Sequence, residues 1–231
     1  PYEGPVDLVR RAAKRGLPSA SLSTLMGTLQ GMAERSVKSP QLRQFLGRFA
    51  TYAGASPWQA SAVFSLIPYL EHAEGIFHAE GGAGALAEAL AKAVMRLGVD
   101  VRLGQRVSWS REGSQYQVGT ERFDGLIVGA DPLAHLGREA EQLTLSGYVA
   151  FYEAPTRLEL PHHTVGFARD YRHEFDELFA GRVPEDLTVY VCHATASDAT
   201  MSAPGRSGVY VMVNAPTVTD AATATKLREG L

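Results

Sequence analysis

Five sets of residues in this chain have types that carry chemistry. Asp7 and Arg10 stand three apart at the start of a predicted helix, so they share a face. Two readings of the pair stay open: a solvated ion pair of little energetic worth, or a charged pair facing an apolar tunnel. Gly81-Gly82-Ala83-Gly84 precedes an alanine- and leucine-rich segment. It has the spacing of neither a dinucleotide fingerprint nor a phosphate loop, so taken alone it is a tight turn that lets two backbones approach. His72 and His78 lie among Glu71, Glu74 and Glu80. That spacing does not bring ligands to one helix face, and no metal is expected. His162-His163 is an adjacent pair. Successive side chains of a strand point apart, so the pair is expected in a loop or at the start of a strand rather than as ligands. Cys192, the single cysteine, sits in the apolar run Leu187–Cys192 and reads as a small buried hydrophobe.

The elements that must position these residues change in texture along the chain. Val6–Arg15 has helical spacing and stops at Gly16 with Pro18 beyond. It carries Arg10, Arg11, Lys14 and Arg15, which suits a basic helix lying on an anionic membrane surface and equally an ordinary solvated face. Leu22–Glu34 continues as helix. Ser39-Pro40 and Ser56-Pro57 each have the cap-then-proline signature of a helix start, and Leu42–Tyr52 between them is amphipathic. Ala83–Leu97 is a helix ended by Gly98. Val99, Val101 and Leu103 alternate as a strand, and Val107–Ser110, Tyr116–Val118 and Leu126–Gly129 read as short strands. The last third is rich in Val, Tyr and Phe, with strands expected over Gly147–Glu153, Thr164–Ala168, Thr188–His193 and Val209–Asn214. Helices are expected over Tyr171–Phe179 and Asp220–Leu231.

Composition sets bounds. The 231 residues are 45% hydrophobic and 20% charged, ordinary for a globular protein. A net charge of −3 supplies no basic field for nucleic acid. No apolar run is long enough to span a bilayer, and no secretory leader opens the chain. Opening on Pro1-Tyr2 rather than Met, it reads as a piece of a longer protein, and one cysteine fits a reducing cytoplasm.

The order of several motifs resembles the bacterial carotenoid desaturases, the phytoene desaturase family of the flavin amine-oxidase superfamily. The run Leu42-Arg43-Gln44-Phe45-Leu46-Gly47-Arg48-Phe49-Ala50-Thr51-Tyr52-Ala53-Gly54-Ala55-Ser56-Pro57 is similar to that family's "LR..FGR.ATY.G.SP". Leu66-Ile67, Glu71, Gly75-Ile76-Phe77 and Glu80-Gly81-Gly82 follow at family spacing, then Leu97-Gly98-Val99. Ala130-Asp131 resembles its "NAD", with Gly129 in place of Asn. Leu160-Pro161-His162-His163-Thr164-Val165, Ala203-Pro204-Gly205 and Val213-Asn214-Ala215-Pro216 complete the series, which reaches from about Asp7 to Pro216.

The resemblance implies an α+β chain, a fragment of an α/β flavoprotein. Residues 1–73 would be a helical segment facing membrane and substrate, 74–137 part of an FAD-binding domain, and 138–231 a mostly antiparallel substrate-binding sheet domain. It implies FAD in the intact enzyme, absent or weakly held here because the family's phosphate-cradling motif falls before Pro1. Gly81, Gly82, Val107 and Asp131 would lie at the cofactor, with Val107 in a strand whose backbone meets the adenine. Asp7 and Arg10 would act at the substrate end. Phe49, Phe64, Ile67 and Tyr69 are candidates to line the path of a carotenoid, and equally a core. The intact protein would dehydrogenate C–C bonds of a polyene at a cytoplasmic membrane surface, with the Phe49–Pro57 stretch nearest the 3,4-desaturase and methoxyneurosporene branch. A carotenoid isomerase or ketolase of the same fold, and a non-catalytic carotenoid- or lipid-binding module, are the alternatives.

Overall fold

The structure, a computed structural model, describes residues 27–130, 144–217 and 220–229. Asp7, Arg10 and Asp131 lie outside the described residues, as does the helix expected over Val6–Arg15. The chain folds as α+β in two units, Pro1–Gly81 with Thr144–Leu231, and Gly82–Leu143.

The first unit begins with helices whose ends are closed by specific groups. In α1 (Leu29–Ser36), the Thr28 hydroxyl accepts from Gly31 N at 3.1 Å. In α2 (Pro40–Gly47), the Ser39 hydroxyl accepts from Leu42 N at 3.3 Å with Pro40 in the first turn, as the sequence predicts. The amphipathic stretch expected over Leu42–Tyr52 is broken after Gly47, and Arg48–Ala53 tightens into a 3₁₀ turn. Gly54 ends it at φ +59°, where an added Cβ would lie 2.7 Å from the Leu145 carbonyl. Only glycine fits that crossing. Ser56-Pro57 does not start a helix. The Ala60 and Pro57 carbonyls instead accept from Leu29 N (2.9 Å) and Gln30 N (3.0 Å), donors at the start of α1 that have no partner within the helix. A 3₁₀ turn over Ala62–Ser65 and α3 (Leu66–Ala73) follow. Leu29, Phe49, Ala50 and Ala60 form the core here, with Met32, Phe64 and Ile67 packed against it.

The second unit holds α4 (Gly82–Arg96) and a three-stranded antiparallel meander, β1 (Trp109–Glu112), β2 (Gln115–Val118) and β3 (Glu121–Phe123). Val99, Val101 and Leu103 form no strand, and neither does Leu126–Gly129. An extended segment becomes a strand only when a neighbour takes its ladder hydrogen bonds, and among the described residues none does. Val107 falls two residues before β1 rather than within a strand.

The first unit resumes with β4 (Ser146–Ala154), β5 (His163–Gly166), α5 (Tyr171–Phe179), β6 (Val189–Cys192), β7 (Ser207–Ala215) and α6 (Ala221–Glu229). The four strands pair antiparallel in the order β4-β7-β6-β5. Helices α5 and α6 are opened by Asp170 and Asp220, whose carboxylates accept from His173 N (2.9 Å) and Thr223 N (2.7 Å). One sheet face is covered: Val213 and Ala215 pack on Leu227 of α6, with Tyr148, Val183, Leu187 and Val189 around them. Leu187 also touches the α5 core of Leu145, Tyr171, Phe175 and Leu178, joined by Trp58.

Candidate functional site

Strand alternation puts Tyr190 and Cys192 of β6 on the sheet face opposite that core. Register adds Tyr210 and Met212 of β7, Val149 and Phe151 of β4, and His163 of β5. The rings touch in sequence across the strands. Phe151 lies 5.6 Å from Tyr210, Tyr210 5.7 Å from Tyr190, and Tyr190 5.9 Å from His163, between centroids. Phe151 is 81% exposed, whereas the two tyrosines are half-buried. At the inner end the Arg48 guanidinium lies 4.8 Å over the Tyr190 ring. Arg48, Tyr171, Tyr190, Met212 and Asn214 enclose a narrow space there. Burial, and then the neighbouring Cys192, raises the pKa of both Tyr190 and Tyr210, so both phenols stay neutral. The face is thus a wall of uncharged aromatic rings with one cation, Arg48, at its Tyr190 end. Sequence reading took β6 and β7 as strands but did not single out their alternating Tyr190/Cys192 and Tyr210/Met212 pairs, the signal that marks the wall.

A polar knot lies at the far end of the sheet. Asp198, 8% exposed, accepts from Gly81 N at 2.8 Å, Thr200 N at 2.9 Å and Thr200 Oγ1 at 2.6 Å, and pairs with His78 Nε2 at 3.1 Å. These bonds, led by the Thr200 hydroxyl and the Gly81 amide, hold its carboxyl below the usual carboxylate range. Gly81 and Gly82 both have positive φ, +81° and +75°. The expected glycine turn is therefore present, and its first amide is anchored to a carboxylate that sequence reading did not pick out. His162 and His163 stand at the entry to β5, as expected. Their ring centroids are 4.4 Å apart, because His162 sits in a bend before β5, where strand alternation does not apply. Burial, then the neighbouring His163, His78 and His193, lowers the pKa of His162, favouring its neutral form. Buried His193 pairs through Nδ1 with the Leu160 carbonyl at 2.9 Å, and its Nε2 has no partner. His193 also lines a cavity of about 520 Å³ with Arg157 and Arg206.

The residues expected to line a carotenoid path separate. Phe49 is buried in the α1 core, and Phe64 and Ile67 pack against it. Tyr69, 65% exposed, lines an apolar groove of about 310 Å³ with Leu29, Met32, Leu46, Pro68 and His72. Val107 is exposed in the second unit.

A family of flavin-containing amine oxidoreductases matches residues 19–132. A 4,4'-diapophytoene desaturase of Methylomonas sp is 30% identical over 71% of this chain and 37% of its own length. A zeta-carotene-forming phytoene desaturase of Myxococcus xanthus is 32% identical over 79% of this chain and 39% of its own. A hydroxyneurosporene desaturase of Cereibacter sphaeroides is 33% identical over 71% and 37%. This chain belongs to the carotenoid desaturase family of flavin-containing amine oxidoreductases. It spans about two fifths of the length of these curated relatives, 37–39%. Among the described residues, no helix is long and apolar enough to cross a membrane.

Proposed function

We propose that this chain is the substrate-binding part, with one edge of the flavin site, of an FAD-dependent carotenoid desaturase. The observation that carries the reading is the Phe151–Tyr210–Tyr190 wall, an aromatic face on the unit's own sheet that is open at Phe151 and closed at its Tyr190 end by the Arg48 guanidinium. A hydrocarbon polyene offers no hydrogen-bond handle, so flat apolar area must hold it. The flavin, when bound, supplies the hydride acceptor. The chain's own residues orient the polyene against the wall and exclude water from it.

The residues present fit one edge of a flavin site. Gly81 and Gly82 put no side chain in the way of a ring system. The Gly81 amide is already taken by Asp198, so the turn offers close approach rather than a phosphate donor. Val107, and Asp131 outside the described residues, are proposed as further cofactor contacts on the resemblance alone. The pyrophosphate cradle would come from elsewhere in a longer protein, and this chain alone binds FAD weakly and turns nothing over. Asp7 and Arg10 stand as the proposed charged pair at the substrate end. Leu42, Phe45, Tyr52, Leu66 and Leu70, all exposed on the helical part around Tyr69, suit a lipid surface from which a carotenoid is taken up. In this reading residues 1–73, 74–137 and 138–231 are the membrane-facing, flavin and substrate segments, and the desaturation is of the 3,4 type.

The experiment compares phytoene-class polyenes incubated with a protein of the relatives' full length carrying this chain. Growth of a red-shifted absorption, with flavin stoichiometry unchanged in Phe151→Asp but turnover lost, supports the reading. Undiminished turnover in that variant removes the wall from the substrate site. A 4,4'-diaponeurosporene oxygenase of Staphylococcus aureus aligns with 84% of this chain at 29% identity, so product mass also decides between added double bonds and added oxygen.

A further inference from the structure

We propose that His162, His163 and Cys192 bind a single zinc-class divalent ion at the β5–β6 end of the sheet. His163 and Cys192 face each other across the two strands, and the bend before β5 turns His162 to the same side. One ring nitrogen of each histidine and the Cys192 sulfur lie within 4.8 Å of one another. Ligand atoms of a tetrahedral zinc site, at bond lengths of about 2.0–2.3 Å, sit roughly 3.3–3.6 Å apart. The three groups therefore close on an ion by about 1 Å, a movement that exposed His163 makes by side-chain rotation.

The surroundings restrict the two rings in the way a metal site requires. His162 Nδ1 is held by the Ser197 hydroxyl at 2.7 Å and His163 Nδ1 by the Tyr190 hydroxyl at 2.8 Å. The backbone behind them is fixed as well, since His193 N donates to the His162 carbonyl at 2.8 Å. Two imidazoles and a thiolate form a borderline-soft set that suits zinc, with a fourth position left for water. β5 is a four-residue edge strand, so an ion joining it to β6 would pin the weakest end of the sheet. The site shares its sheet face with the aromatic wall through Tyr190, but no polyene or flavin enters its test, so failure of the one is distinguishable from failure of the other.

The test is titration of the 231-residue chain with Co²⁺, whose thiolate complexes absorb in the near ultraviolet. Expected are a thiolate-to-cobalt band that saturates at one ion per chain, its displacement by Zn²⁺, and a zinc-dependent rise in melting temperature. Cys192→Ser removes the band, and His163→Asn, on an exposed side chain, weakens cobalt binding by about tenfold or more while the circular dichroism stays unchanged. A chain that binds cobalt with no thiolate band, or a Cys192→Ser protein with the same zinc-dependent melting rise, overturns the proposal.

Discussion

The two units of this chain solve the burial problem to different degrees. In the first, Leu29, Phe175, Leu178 and Leu227 are at most 1% exposed, and α1, α5 and α6 each bury apolar side chains. In the second, Gly82 is the one buried position among the described residues, and no side chain there is buried. The α4 helix shows Leu86, Leu90 and Met95 at 55%, 60% and 55% exposure, and Ile127 is 96% exposed. Their apolar residues are those of a core-facing helix and of buried strands, yet among the described residues they stay exposed. Local propensity and meander hydrogen bonds define the second unit's elements, whereas packing fixes the first. In the proposed reading, the remaining length of a flavin domain covers that bare apolar surface.

Side-chain deletion separates the two most sharply. Phe175→Ala empties a site packed by Trp58 and Tyr171 and is expected to cost the first unit about 3–5 kcal/mol. Leu90→Ala in the second unit is expected to change stability by less than about 0.5 kcal/mol. The chain's two tryptophans report separately. Trp58 lies against Phe175, and Trp109 lies 6.4 Å from the Tyr116 ring of the meander. Urea unfolding of Trp109→Phe and Trp58→Phe backgrounds then reads each unit alone. Equal losses for the two deletions would break the comparison. A protein of the relatives' full length in which Leu90→Ala costs about 2–5 kcal/mol would sharpen it.

A buried ionisable group gives the first unit a pH dependence of its own. Glu174 is fully buried under Thr188, whose N and Oγ1 donate to it at 2.9 and 2.6 Å. Burial raises its pKa, and the Thr188 bonds only partly offset this. With the folded value above the unfolded one, the native state binds the proton more tightly. Glu174 therefore favours folding below its ordinary value, and that contribution is lost as pH rises through the raised value. The Trp58-reported stability is expected to decline over this window, and Glu174→Gln to flatten the decline. A first unit whose stability rises there, with the variant unchanged, contradicts the assignment. No carboxylate of the second unit is buried among the described residues, so its Trp109 transition should not follow this decline.

The sequence showed its own elements better than their partners. Ser39-Pro40 and the Tyr171–Phe179 helix are readable because a cap or an amphipathic period is local, and the antiparallel strands because Val, Tyr and Phe cluster in them. Ser56-Pro57 misleads for a tertiary reason, since the carbonyls after it are needed to cap α1. Val99–Leu103 misleads because alternation predicts a strand only when a second strand arrives. The glycine turn was legible, but its anchor Asp198 lies 117 residues further along the chain, beyond any local pattern. The place of His162-His163 at a strand entry was legible, but the approach of the two rings there was not, since it depends on the bend at His162.

Salt should act on the two units unequally, with the smallest effect of those expected. Arg102 pairs with Asp100 at 2.7 Å and with Glu121, and Arg122 pairs with Glu112 at 3.0 Å, all on exposed side chains around the meander. At 1 M salt the screening length falls to about 3 Å, and such pairs lose most of their attraction. The first unit also carries exposed pairs, such as Arg182–Glu177 and Arg206–Glu153, but its β6 and β7 are held by packing on Leu227 and its neighbours rather than by those pairs. Amide exchange in β1–β3 is therefore expected to quicken by roughly two- to threefold between low and 1 M sodium chloride, with β6 and β7 unchanged. Equal acceleration in both sheets would mean that the second unit is held by something other than its hydrogen bonds and surface charges. The bare faces of α4 and Ile127 would then have to be covered even in the isolated chain.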